Sequence, residues 1–455
     1  MELEIHGRVN PATRILLLII ILASPSLFLM GDCSPAIQGC NSVESRLVPG
    51  LSRARPRVFS IADFGGVSDG ITLNTKAFQK AIDHIGSFGK LGGATLYIPR
   101  GKWLTGCFNL TSHMTLFLEQ DATILASEDP QDWPVVDPLP SYGRGRELPG
   151  KRYTSLLHGL RITDVAITGN NGTIDGQGLV WWNRFRSKTL QHTRGSLVEF
   201  MFSSNILVHN VTLINSPFWT LHPVYTSDVM IKGVTILAPH KAPNTDGVDP
   251  DSSSNVCIRD TYISNGDDAV AVKSGWDEYG LAFNRPSHDV FLVNLTVSGS
   301  HGISLGSEMS GGIYNVHAYG VSISGAVQGI HIKTSAGRGA YIRNASFASF
   351  EILDTGVAFS FTGIYGDHPD AGYNASAFAT IENISFRDVV GMRVNRAGDF
   401  RGVPQSPFRH TCFTDVALEL NGKSNHWNCS YIEGYSRHVS PPPCPELQLE
   451  SECWS

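Results

Sequence analysis

Asn205-Ile-Leu-Val-His-Asn-Val-Thr-Leu, Asp228-Val-Met-Ile-Lys-Gly-Val-Thr-Ile and Asn255-Val-Cys-Ile-Arg-Asp-Thr-Tyr-Ile lie over one another residue by residue. The pattern starts at Asp164, and further copies begin at Asp289, Asn315, Asn344, Asn383 and Asp415. Each copy opens on Asn or Asp and continues as a short Val/Ile/Thr-rich strand, with Gly or Asn at the bends. The periods run from 23 to about 40 residues (205 to 228, 344 to 383), with no helical repeats between. Each unit is too short to bury an apolar face alone, so the copies must stack. Hairpin turn signals, which a β-sandwich would need, are sparse. The expected fold is all-β, a right-handed parallel β-helix with a short N-terminal capping helix.

That architecture absorbs 455 residues as one unit, and the composition suits it. Glycine is abundant at 46 residues and charged residues are few at 17%, as many short strands and turns require. The net charge of −6 gives no bulk attraction for nucleic acid. Val58–Phe64 reads as a first strand. Asn74 reads as the cap of an amphipathic helix with Ala77, Phe78, Ala81, Ile82 and Ile85 on one face, placed to plug the open end of the stack.

The apolar run Ile15–Ala23, with Arg14 before it and Pro25 after it, reads as a signal peptide over residues 1–31. A signal anchor is the other possibility; the interruption at Pro25 favours cleavage. A polar linker is expected over 32–57, the catalytic β-helix over 58–440 and a cysteine-bearing tail over 441–455. Eight Asn-x-Ser/Thr sequons and eight cysteines suit an oxidising, extracellular compartment. Local pairing joins Cys412 to Cys429 and Cys444 to Cys453, among the three connectivities four cysteines allow. Cys107 and Cys257 read equally as buried thiols.

A second register carries the chemistry. Asp246-Gly-Val-Asp-Pro-Asp251, Asp268-Ala-Val-Ala-Val-Lys273, His301-Gly-Ile-Ser-Leu-Gly306 and Gln328-Gly-Ile-His-Ile-Lys333 recur every 22 to 33 residues. Stacked in register, Asp246, Asp268 and His301 form a ladder with rungs about 4.8 Å apart. Asp267 joins them if the bend after Gly266 aims both neighbouring carboxyls outward. Carboxylates held together repel, so one should keep its proton well above its usual pKa. One acid and one base of that kind are what hydrolysis of a glycosidic bond needs. His331 and Lys333 lie two apart on one strand and share a face; cations beside acidic catalysts suggest an anionic sugar, with Lys333 pairing its carboxylate. Lys273, at the position equivalent to Lys333, reads equally as a surface lysine. Asp137–Arg152 reads as an exposed loop that walls a cleft.

Asn244-Thr-Asp246, Gly266-Asp-Asp268, His301-Gly302 and Ile332-Lys333 stand in the order and spacing of the polygalacturonase-like glycoside hydrolases of family 28. Asp175-Gly-Gln-Gly178 with Trp181-Trp182 also resembles that family, and the match runs from about Val58 to Cys429. The resemblance implies a right-handed parallel β-helix, a pectin or galacturonan substrate and inverting hydrolysis of α-1,4-galacturonosyl bonds. It makes Asp267 the general acid, has Asp246 and Asp268 position and activate water, and has His301 orient the acid. Asn244, Gly302, His331 and Lys333 become substrate-binding positions. It implies no metal and no cofactor, and a secreted monomer at the cell wall without stable membrane association.

Two departures stand out. Ser300 replaces the first glycine of the family's Gly-His-Gly, which requires a negative φ there. His331 replaces the arginine of Arg-Ile-Lys, which removes a bidentate carboxylate clamp and leaves a contact charged only at acidic pH. Ala269 stands where many relatives carry cysteine, which would leave Cys257 without a partner. The alternatives are a hydrolase of rhamnogalacturonan or xylogalacturonan, a non-catalytic wall-binding relative, and a β-elimination lyase with a calcium cluster of Asp246, Asp249, Asp251, Asp267 and Asp268.

Overall fold

The computed structural model describes residues 34–47, 55–422 and 426–448. Its strands run parallel in an eighteen-stranded sheet, a four-stranded sheet and a six-stranded sheet, with one short antiparallel pair between 135–136 and 152–153. This is the right-handed parallel β-helix expected from the repeats.

The Asn/Asp that opens each copy has a conformational reason. Asp164, Asn205, Asp228, Asn255, Asp289, Asn315, Asn344, Asn383 and Asp415 all have φ between 53° and 62°. Asn and Asp tolerate this left-handed turn better than other residues with a Cβ. Their side chains also bond along the stack: Asn255 Nδ2 donates to Asp228 Oδ1 (3.0 Å), and Asn315 Nδ2 to Asp289 Oδ1 (3.1 Å).

Behind each turn the apolar positions stack in columns. One runs through Ile167, Val208, Ile231, Ile258, Leu292, Ala318, Phe347, Phe386 and Phe413, all buried. Each large member contributes roughly 1.5–3 kcal/mol by leaving water. Toward the C-terminus the column turns aromatic, with Phe386 stacked on Phe347 (5.3 Å between centroids) and on Phe413 (4.8 Å).

The N-terminal end is plugged by the helix Thr75–Gly86, whose Ala77, Phe78, Ala81, Ile82 and Ile85 are all buried. Asn74 stands at the cap position without capping. Its amide instead bonds Val67, Thr72 and Leu104 and ties the preceding loop to the stack.

The segment read as a linker is partly structured. Pro35–Arg46 is a helix lying on the strands 227–232, 254–264 and 287–298, and Cys40 is disulfide-bonded to Cys257. Cys257 therefore has a partner, supplied from far upstream in the chain. Gly39 allows the close approach, since a Cβ there would stand 2.1 Å from the Phe291 ring. Arg55, also within that segment, is buried and forks onto Asp164 at 2.8 Å.

At the other end Cys429 pairs with Cys444, not with Cys412 as local pairing had it. Cys444 is thereby unavailable to Cys453, which lies outside the described residues, and Cys412 is itself disulfide-bonded. Cys107 is a free thiol. The signal segment lies outside the described residues, among which no helix is long and apolar enough to cross a membrane.

Candidate active site

The four- and six-stranded sheets are joined by single bridges rather than a strand. Val248 pairs with Leu221 on one side and Val270 on the other, and Asp251 pairs with Val224 and Lys273. Segment 244–251 thus fills the gap between the sheets, presenting Asn244 and Asp246 to the cleft where Asp267 and Asp268 arrive one coil later. Gly247 is required for this fit, because a Cβ would stand 2.4 Å from Ala269 O.

The result is a cleft of about 320 Å³ whose walls include Asn244, Asp246, Asp267, Asp268, Lys273 and Lys333. Asp267 and Asp268 sit in the turn before the strand Val270–Val272, so both carboxyls reach the cleft despite being neighbours. His301 holds Asp267 from the rim, Nδ1 to Oδ1 at 3.2 Å, while its backbone N–H donates to Asp267 O (2.8 Å). Gly302 lies outside the cleft wall. Its φ of 88° and a carbonyl 2.2 Å from where a Cβ would stand explain the glycine. Ser300 fits because its φ is not positive, and its hydroxyl bonds Asp267 O (2.7 Å) and Gly302 N (3.1 Å).

Lys333 Nζ contacts Asp268 directly, and Ser304 Oγ donates to the other Asp268 oxygen at 2.8 Å. Lys273 is no surface lysine. It is buried, 3.2 Å from Asp246, 3.4 Å from both Asp249 and Glu308, and 4.5 Å over the Trp219 ring. Glu308 in turn holds Arg146 at 2.5 Å, and Arg146 reaches Asp367 at 2.8 Å. Sequence reasoning missed Glu308 and Arg146 as site residues. Glu308 follows its strand outside the repeat, and Arg146 comes from the loop 137–152, so neither carries a periodic signal.

The electrostatics are uneven. Burial pushes Asp246 up to about 7, with Lys273 pulling it down and Asp267 and Asp268 pushing it further up. Burial and the neighbouring Asp246 also hold Asp249 well above the usual carboxylate range. For Asp267 burial acts upward, yet the His301 bond and the charge of Lys333 bring it below its ordinary value. The same bond raises His301. One retained proton among repelling carboxyls was expected, and Asp246 has a raised pKa here while Asp267 has a lowered one.

His331 departs most from expectation. It is buried, lies outside the cleft wall with Tyr365 6.2 Å away edge-on, and is pushed down to about 2 by burial and by Lys333 and His301. Its ring is therefore neutral at mildly acidic and neutral pH and gives no charged contact there. Asp267, Asp268 and His301 offer ligand atoms within 4.8 Å of one another, a spacing that could hold a metal ion. Two of the three already bind each other, and Asp268 is taken by Lys333 and Ser304.

A parallel β-helix with paired acids in a lateral cleft defines a polysaccharide-processing class, and the comparisons narrow it. The family model of glycosyl hydrolases family 28 matches residues 141–440, and the chain belongs to that family. It is therefore a glycosidase. A "Probable polygalacturonase" of Vitis vinifera is 50% identical over 85% of this chain and 80% of its own length. An exopolygalacturonase from Thermotoga maritima superposes with a TM-score of 0.75 at 25% identity, over 89% of this chain and 95% of its own. The polygalacturonase from Erwinia carotovora shares the fold at 21% identity and a TM-score of 0.66, over 84% and 97%. Membership in a hydrolase family sets aside the β-elimination reading.

Proposed function

We propose that the enzyme hydrolyses α-1,4-galacturonosyl bonds of pectin with inversion, Asp267 acting as general acid and Asp246 with Asp268 holding and activating water. The observation that carries this is the asymmetry of the trio. Asp267 is the most accessible member, at 22% side-chain exposure against 5% and 2%, and it alone is held by His301. A leaving oxygen can reach it from the rim, while Asp246 and Asp268 lie deeper beside Lys273 and Lys333.

Lys333 gives one contact to Asp268 and keeps further ammonium protons for a sugar carboxylate, its charge steadied by the Tyr365 ring 5.5 Å away. That carboxylate would offset the cation that lowers Asp267. Binding an anionic sugar therefore raises the acid toward its protonated form. Asn244 is fixed by Arg194, whose Nη2 donates to its Oδ1 at 2.8 Å, and it presents Nδ2 beside Asp267 at 3.5 Å. The apolar run Ile15–Ala23 and the sequons support action outside the cell on wall polysaccharide.

The test is digestion of de-esterified polygalacturonate at about pH 5 with a chelator present. New reducing ends without ultraviolet-absorbing unsaturated products are expected. The absence of any product would move the substrate to a branched pectin backbone or remove turnover altogether.

A further inference from the structure

Arg194 is buried just ahead of the strand Val198–Met201, and its guanidinium ties three segments of the chain together. Nε and Nη2 hold both oxygens of the Glu147 carboxylate, which also accepts from the Arg194 backbone N–H at 3.0 Å. Nη1 donates to Pro217 O (2.8 Å) and Pro243 O (3.0 Å), and the remaining Nη2 proton goes to Asn244 Oδ1 (2.8 Å). The rings of Phe185 and Phe218 pack on the guanidinium at 4.5 and 5.0 Å. Glu147 comes from the loop 137–151, so this one side chain fixes that loop against the segment that carries Asn244.

The clamp also decides which way the Asn244 amide points. A guanidinium only donates, so it must face the carbonyl oxygen, and the NH2 is left to face Asp267. Asp267 Oδ1 is already taken by His301 Nδ1 (3.2 Å) and by the Asp268 backbone N–H (2.9 Å). Oδ2 has Asn244 Nδ2 alone, at 3.5 Å. Oδ2 is therefore the oxygen left to carry the proton, and the amide is the group that meets it when the proton has gone.

Resting on the assignment of Asp267 as the acid, we propose that Arg194 is a positioning residue for the reaction: by pinning the Asn244 carboxamide it keeps an N–H donor aimed at Asp267 Oδ2. The proton passes from Oδ2 to the glycosidic oxygen as the carbon–oxygen bond breaks. Water's oxygen joins the anomeric carbon, and water's proton goes to the Asp246–Asp268 side. As charge gathers on Oδ2 the long amide bond tightens, so it stabilises the transition state more than the resting acid. Glu147 supports this by holding Arg194 in place.

The experiment is a double-mutant cycle on polygalacturonate hydrolysis with Arg194→Lys, Asn244→Ala and the pair, each over a range of pH. An ammonium cannot serve Glu147, two carbonyls and Asn244 together, so Arg194→Lys releases the amide. His301, Lys333, Lys273, Asp246, Asp268 and Tyr365 are the titratable groups that face Asp267, and all stay in place in that variant. It should lower kcat about tenfold while KM changes far less. The basic limb of the kcat profile should move to higher pH, because the carboxylate form has lost a donor. In the Asn244→Ala background the same substitution should change kcat by less than about twofold and leave the limb alone. Losses that multiply, or a limb that stays put in Arg194→Lys, would overturn the proposal and leave Arg194 a scaffold residue. If circular dichroism shows Arg194→Lys unfolded, Glu147→Gln, which loosens the same clamp, is read by the same two criteria. The underlying reading fails differently: undiminished kcat in Asp267→Asn, or no product from the unsubstituted enzyme, removes the acid and the inference with it.

Discussion

Two buried charge clusters lie side by side in this molecule, and they are satisfied to very different degrees. Behind the cleft, Arg152 forks onto Glu199 (2.8 and 2.9 Å), and His222 bridges Glu199 (3.1 Å) and Asp251 (3.2 Å). Tyr142 OH completes Asp251 at 2.7 Å. In the cleft, both carboxyl oxygens of the fully buried Asp249 lack a hydrogen bond, and Asp246 has Lys273 at 3.2 Å with two like charges nearby. The first cluster drives its carboxylate down: burial opposes, but Arg152, His158 and His222 hold Glu199 well below its ordinary value. In the second, burial drives Asp246 and Asp249 up. The same residue types, equally buried, thus become a scaffold where the carboxylates are held by Arg, His and Tyr donors and a proton store where such donors are scarce.

The comparison breaks most visibly through the acid. Asp267→Asn should lower kcat by about 10²–10⁴-fold, the usual worth of general acid catalysis, with the circular dichroism spectrum unchanged. Retained activity would remove Asp267 from that role. In the scaffold cluster the expected effect falls on stability. Glu199→Ala leaves Arg152 buried without its partner and should cost about 3–5 kcal/mol in denaturant unfolding. Asp249→Asn puts a neutral isostere where burial already disfavours the charged carboxylate, and should shift stability by less than about 1 kcal/mol. Equal losses would mean that the two clusters do not differ.

Their pH dependences should also have opposite signs. Glu199 is lowered on folding, so its contribution is present above its unfolded pKa and is lost as pH falls through the folded one. Asp246 is raised from 3.8 to about 7, so the folded state binds the extra proton and stability drops as pH rises across that interval. In Asp246→Asn the drop should flatten, as read from unfolding midpoints at a series of pH values. The smallest effect belongs to His331. Its ring is neutral and outside the cleft, so His331→Gln should leave the pH profile of kcat/KM where it is. A shifted acidic limb would mean that the imidazole does titrate during turnover.

How far the site was legible depended on whether a residue lay in the repeat. Asp246, Asp268 and Lys333 could be placed because each sits at a fixed offset from a stacked strand, and stacking turns offset into neighbourhood. Asp267 needed the turn after Gly266 to be recognised as a turn. Lys273 had the right offset, but its carboxylate partners come from other segments, so nothing local marks it as buried. The Cys40–Cys257 bond was hidden for a similar reason. The two cysteines are 217 residues apart, and residues near Cys257 say nothing about the helix that carries its partner.

By itself the sequence determined the coil. Asn or Asp at each left-handed turn and apolar alternation behind it repeat often enough that only parallel stacking buries every copy. Tertiary structure alone decided what the non-repeating residues do. Burial turned His331 from an expected cation into a neutral ring and brought Arg146 to Glu308. It also placed the loops 137–151 and 363–374 against each other beside the cleft. Those outcomes depend on desolvation and on contacts between distant segments, and neither has a period that a sequence can display.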